Sequence, residues 1–197
     1  MAITMTIFED SGPLLAGKGT NRTAVTNIGW KSNGLDETDP YIYGPLIRPE
    51  GDTPFTYSFK KYNFLKIEGT YPIASRPRIK FTGNYNGAPP QGYEKSGANQ
   101  VRLYYKLTNE YETPNNDWDG SLIYLPPGAT QTVYPAMSVV GPELATIYPQ
   151  YLTGNITYYT QYLVTQLLVP AGTSIDFGNI GELNIEWFFD EYEGTNV

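Results

Sequence analysis

The chain has 197 residues, 40% of them apolar and 17% charged, with a formal net charge of −7. That length and apolar share are enough for one domain with a core, while the acidic balance argues against nucleic acid, which recruits basic stripes. Cysteine and histidine are both absent, which excludes thiol catalysis, disulfides, Ser-His triads and His-ligated zinc.

The first segment, MAITMTIFEDSGPLLAGKGT, shows no sustained period. It reads as an extended arm over residues 1–20, ahead of a β-sandwich domain over 21–197. Its apolar residues Met5, Ile7, Phe8, Leu14 and Leu15 are candidate anchors on a neighbouring chain. It has neither a basic n-region nor a long apolar core, so no secretory signal is expected. No apolar run in the chain reaches the ~18 residues of a membrane helix.

Beyond the arm, 16 prolines and 20 glycines punctuate the sequence. Helices end near proline and central strands exclude it, so regular structure is expected in the proline-free windows 14–39, 55–71, 91–113, 150–169 and 171–197. In chain order, RTAVTNIGW (22–30) reads as a strand and YSFKKYNFLKIE (57–68) as a longer one with weaker alternation. RIKFTG (78–83) sets Ile79 and Phe81 against Arg78 and Lys80. QVRLYYKLT (100–108) puts Val101, Leu103, Tyr105 and Leu107 on one face, with Gln100, Arg102, Tyr104 and Lys106 on the other. GPELATIY (141–148) is the one helix candidate, with Pro142 in its first turn. ITYYTQYLVTQLLV (156–169) is the expected central strand, followed by TSIDF (173–177) and ELNIEWFFDE (182–191). Two-residue periods, long loops and little helix predict an all-β fold, a β-sandwich of jelly-roll or related type.

Chemistry is sparse. NNDWDG (115–120) begins like a calcium loop, with Asn115, Asp117 and Asp119 as candidate cation ligands. The twelfth position from Asn115, where a bidentate acid is needed, is Pro126, and the flanks are strands. Asn, Asp and Gly are also turn formers, so a strand connection is the preferred reading, and no cofactor or metal is expected. Glu182, Glu186 and Asp190 line one strand face rather than facing each other across a cleft, which does not make a glycosidase pair. Basic residues cluster at 60–80, and Lys60, Lys61, Arg78 and Lys80 are a candidate partner-facing patch. Trp30, Trp118, Tyr104 and Tyr158 are candidate stacking residues for carbohydrate.

Residues 25–71 carry one further signal. Asn27, Trp30, Lys31, the step Asp36 to Thr38, Tyr43, Pro45 and the run Ser58 through Thr70 form a pattern. It resembles small virion structural proteins of tailed phages, especially cyanophages. The resemblance implies a β-rich, non-enzymatic protein present in many copies and located in the virion after synthesis in the host cytoplasm. On that basis the expected function is capsid decoration or cementing. The partners would be other virion proteins, above all the major capsid protein, and further copies of the same chain, with neither nucleic acid nor membrane. The alternative is a host-binding, carbohydrate-binding module of the tail or baseplate.

Overall fold

Two prolines lie inside the longest strand of the molecule. The structure, a computed structural model, describes residues 4–26, 55–82, 102–125, 131–144, 152–170 and 184–191. These form strands β1 (Thr4–Leu15), β2 (Lys18–Ala24), β3 (Phe55–Tyr57), β4 (Lys61–Thr82), β5 (Arg102–Thr108) and β6 (Ile123–Leu125), then β7 (Gln131–Val133), β8 (Met137–Ser138), β9 (Leu152–Thr160), β10 (Tyr162–Pro170) and β11 (Asn184–Glu191). Among the described residues, one 3-10 turn covers Pro142–Leu144. Every pairing among the described residues is antiparallel, and the central order is β2-β1-β4-β10-β5-β6.

Strand β4 runs for 22 residues, joining what the sequence suggested were separate strands at 57–68 and 78–83. The prolines explain how. Pro72 falls in the register skip between Tyr71 and Ala74 against β9, and Pro77 falls where β11 skips between Phe188 and Asp190. Pro13 likewise falls in the skip between Ser11 and Leu14 in the β1–β2 pair. A bulged residue owes no ladder hydrogen bond, so proline loses none there. The expectation that strands stop at proline is therefore corrected at all three places.

The two-residue period sorts side chains onto two faces of the central strands. Leu65, Ile67, Leu103, Tyr105, Leu163, Leu167 and Val169 form the main core on one face. Ile79 and Phe81, from the far end of β4, join that same core with Trp187 of β11. The Phe81 and Tyr105 rings are 4.8 Å apart. Strand β4 thus carries the chain from one layer to the layer facing it, and Gly69, with φ at 152°, lies between its two halves. The result is an all-β, sandwich-like fold. On the opposite face, Tyr62, Phe64, Tyr162 and Val164 form a second cluster with Tyr111 and Leu122. Because both faces are covered, every residue from Tyr162 to Val169 is buried. The single central strand expected over 156–169 is corrected to two, since the ladder breaks at Gln161 and residues up to Thr160 belong to β9, paired further along β4.

The N-terminal segment is not an extended arm. Residues from Thr4 to Asp10 pair in register with Glu68 back to Tyr62, and β2 returns as the outer strand. Ile7 packs on the main core, and Phe8 packs on the second cluster with its ring stacked 5.6 Å from Phe64. Alternation was hidden because Glu9, Asp10 and Ser11 are buried polar residues. Asp10 accepts two hydrogen bonds from Arg22 at 2.7 Å and one from the Tyr162 hydroxyl at 2.6 Å. Burial, then the bond to Asp10, holds the Tyr162 phenol above its ordinary range. Lys61 donates to Glu9 at 2.8 Å across the other face. These pairs satisfy the buried charges and bind the hairpin to the sheet.

Candidate functional site

The connection from β5 to β6 is built by its own polar side chains. Asn115 Oδ1 accepts from the Asp117 amide at 3.2 Å, and Asp119 Oδ1 accepts from the Ser121 amide and hydroxyl at 2.9 and 2.6 Å. These are Asx turns, the chemistry expected of Asn and Asp in a tight connection. Asp119 Oδ2 takes Lys106 of β5. Burial raises the Asp119 carboxyl, but the bonds from Lys106 and Ser121 outweigh it and hold the group well below the usual carboxylate range. Among the described residues, no three acidic side chains gather as a cation cluster.

The loop is also tied to the sheet beneath it. Gln166, fully buried on β10, donates to Ser58 O at 2.9 Å and to Asp117 O at 3.1 Å, and the Lys60 amide reaches Asn115 O at 3.0 Å. Tyr111 and Leu122, at the two ends of the loop, cap the second cluster. Between these anchors Trp118 is held out toward solvent.

Trp118 sits within a ladder of rings. Phe55 and Tyr57 of β3 meet at 5.3 Å, and Tyr57 stacks on Trp118 at 5.2 Å with an interplanar angle of 19°. Tyr104 of β5 meets Trp118 edge-on at 4.7 Å, and Tyr124 of β6 follows at 5.4 Å. Register explains the alignment. Tyr104 lies opposite both Gln166 and Tyr124, and Tyr57 lies opposite Leu168, so all belong to the face carrying the second cluster. Phe55, Trp118 and Tyr124 are 42%, 43% and 40% exposed. Burial, then the neighbouring Tyr104, raises the Tyr57 phenol above its ordinary value. The ladder is a half-open aromatic strip.

A second exposed surface is aliphatic. At the β1–β2 tip Ala16 and Gly17 both adopt positive φ, 51° and 84°, which closes a two-residue hairpin turn. This turn holds out Leu14 and Leu15. The tip lies beside the 3-10 turn, since a Cβ on Gly17 would be 3.9 Å from Glu143 Cγ, and Arg22 of β2 comes within 3.7 Å of Glu143. Val139, Val140 and Leu144, around that turn, are exposed as well.

Among the residues singled out from sequence, Trp118 and Tyr104 come together, and Tyr158 goes elsewhere, half-buried against the main core. Trp30 lies outside the described residues. Met5 is exposed on β1, whereas Ile7 and Phe8 are committed to packing inside their own chain. The basic patch is corrected: Lys60 and Lys61 are 5% and 3% exposed, with Lys61 on Glu9 and Lys60 3.8 Å from Glu112. Both carboxylates are remote in sequence, which is why the lysines looked solvated. Arg78 and Lys80 are half-buried, with the Arg78 guanidinium 5.8 Å from the Phe188 ring and Lys80 opposite Glu186 in register. Phe55, Tyr57 and Tyr124 were missed as site residues, although their two-residue spacings place each on a strand face. No family model matches the chain, and neither curated proteins nor solved structures provide a match.

Proposed function

We propose that this chain is a non-enzymatic structural protein of a tailed-phage virion, a capsid decoration or cement protein that binds the major capsid protein and its own copies. The observation that carries this is the aliphatic end, where Leu14, Leu15, Val139, Val140 and Leu144 are each more than half exposed. Aliphatic side chains gathered in water mark protein contacts rather than chemistry. A lattice repeats each contact, and effective concentration turns modest affinity into firm attachment. The resemblance of residues 25–71 to virion structural proteins supplies the setting.

Because β1 is a strand of the sheet, deleting it would test folding rather than attachment. Leu15→Asp with Val140→Asp changes only exposed positions. The double variant is expected to keep the circular dichroism of the parent and to lose co-sedimentation with particles. Undiminished co-sedimentation would contradict the proposal.

A further inference from the structure

We infer that the aromatic ladder of Phe55, Tyr57, Trp118, Tyr104 and Tyr124 is a binding site for a neutral oligosaccharide of flat pyranose units. This concerns a surface other than the aliphatic end and does not rest on particle attachment. The two exposed surfaces differ in kind. One is Leu and Val, and the other is aromatic. A pyranose ring has apolar C–H faces and a rim of hydroxyls, so it wants flat ring surfaces beside hydrogen-bonding groups. Trp118 keeps one indole face on Tyr57 and remains 43% exposed. Next to it in the loop stand the exposed Asn116 and Asp117, which supply a donor and acceptors for a hydroxyl rim.

Charge selects a neutral ligand. Two cations on this strand face are already engaged: Lys106 is committed to Asp119 and Ser121, and Arg102, opposite Leu168 and half-buried, has its own partner within the protein. The exposed Asp117 adds negative charge next to Trp118. An acidic sugar would meet repulsion there, whereas a neutral hydroxyl can donate to that carboxylate. The strip is also pre-organised. Strands carry Phe55, Tyr57, Tyr104 and Tyr124, and Gln166 anchors the loop bearing Trp118, so little ordering cost is added on binding.

The test is calorimetric titration of the full chain with cellohexaose, laminarihexaose and xylohexaose, with hexagalacturonate as the acidic comparison. At least one neutral hexaose is expected to bind with Kd of about 1 mM or tighter. Trp118→Ala and, separately, Tyr124→Ala should weaken it about tenfold, the scale of a lost ring contact, while Trp118→Phe should weaken it less. Failure of all three neutral hexaoses to bind would overturn the inference. So would binding that survives both alanine variants in folded protein, or equal binding of hexagalacturonate. Loss of particle attachment in Trp118→Ala, with no sugar binding by the parent, would identify the ladder as a protein contact instead.

Discussion

Replacing Asp10 by Asn removes one charge from the interior and leaves the shape of the side chain intact. Asp10 is 1% exposed and receives three hydrogen bonds, from Arg22 Nε, Arg22 Nη2 and the Tyr162 hydroxyl. The amide keeps one acceptor oxygen and turns the other position into a donor that faces a donor. Hydrogen bonds to charged groups contribute about 1.5–3 kcal/mol each, and a buried donor left unsatisfied costs about 1–3 kcal/mol. The Arg22 side chain is 27% exposed, so water recovers part of its loss. Asp10→Asn should therefore cost about 3 kcal/mol, against a typical net stability of about 5–15 kcal/mol. Urea titration would show a lower midpoint with an unchanged slope. Tyr162→Phe, which removes a single donor, should cost about 1 kcal/mol. The double variant should cost less than both singles together, because they share one carboxylate. A loss below about 0.5 kcal/mol for Asp10→Asn would refute the view that this carboxylate locks the hairpin onto the sheet.

Asp119→Asn should cost about 1 kcal/mol at pH 7, since the site is partly open to water. A lowered carboxyl pKa stabilises the fold above the unfolded value near 3.9 and loses that contribution as pH falls through the folded value. The difference between parent and variant in urea titrations should thus shrink once pH drops below about 4. Gln166→Leu leaves the Ser58 and Asp117 carbonyls without their donor, so stability should fall by about 2 kcal/mol and amide exchange over 115–121 should speed up. In Gly19→Ala the new Cβ would collide with the Ser11 carbonyl oxygen and lie 2.8 Å from both the Ser11 nitrogen and the Tyr111 hydroxyl oxygen. A calorimetric scan should show a lowered Tm, with a loss of about 2 kcal/mol.

What could be read from sequence followed from period and from turn chemistry. Leu103, Tyr105 and Leu107 alternate with Arg102, Tyr104 and Lys106, and the strand they define sorts them in that way. Asn115 and Asp119 cap their own backbone, as those residue types do locally. The failures all involve partners distant in the chain. Glu9 and Lys61 are separated by 52 residues, and neither shows locally that the other will bury it. Proline misled at β4 because a bulge is a property of two strands in register, not of the strand that holds the proline. The ladder was only half legible for the same reason. Trp118 announced itself beside Asp117 and Asp119, but its stacking partner Tyr57, and Tyr124 which extends the ladder from Tyr104, come from β3 and β6, whose places were set by β10 and β5.

Counting copies of this chain in purified tailed-phage particles, by quantitative mass spectrometry against the major capsid protein, tests the decoration role most directly. A lattice-bound protein should be present at hundreds of copies per particle, in a fixed ratio to the shell protein, and should fall in the Leu15→Asp, Val140→Asp double variant. Absence from the particles, or a handful of copies matching the symmetry of the tail, would contradict it.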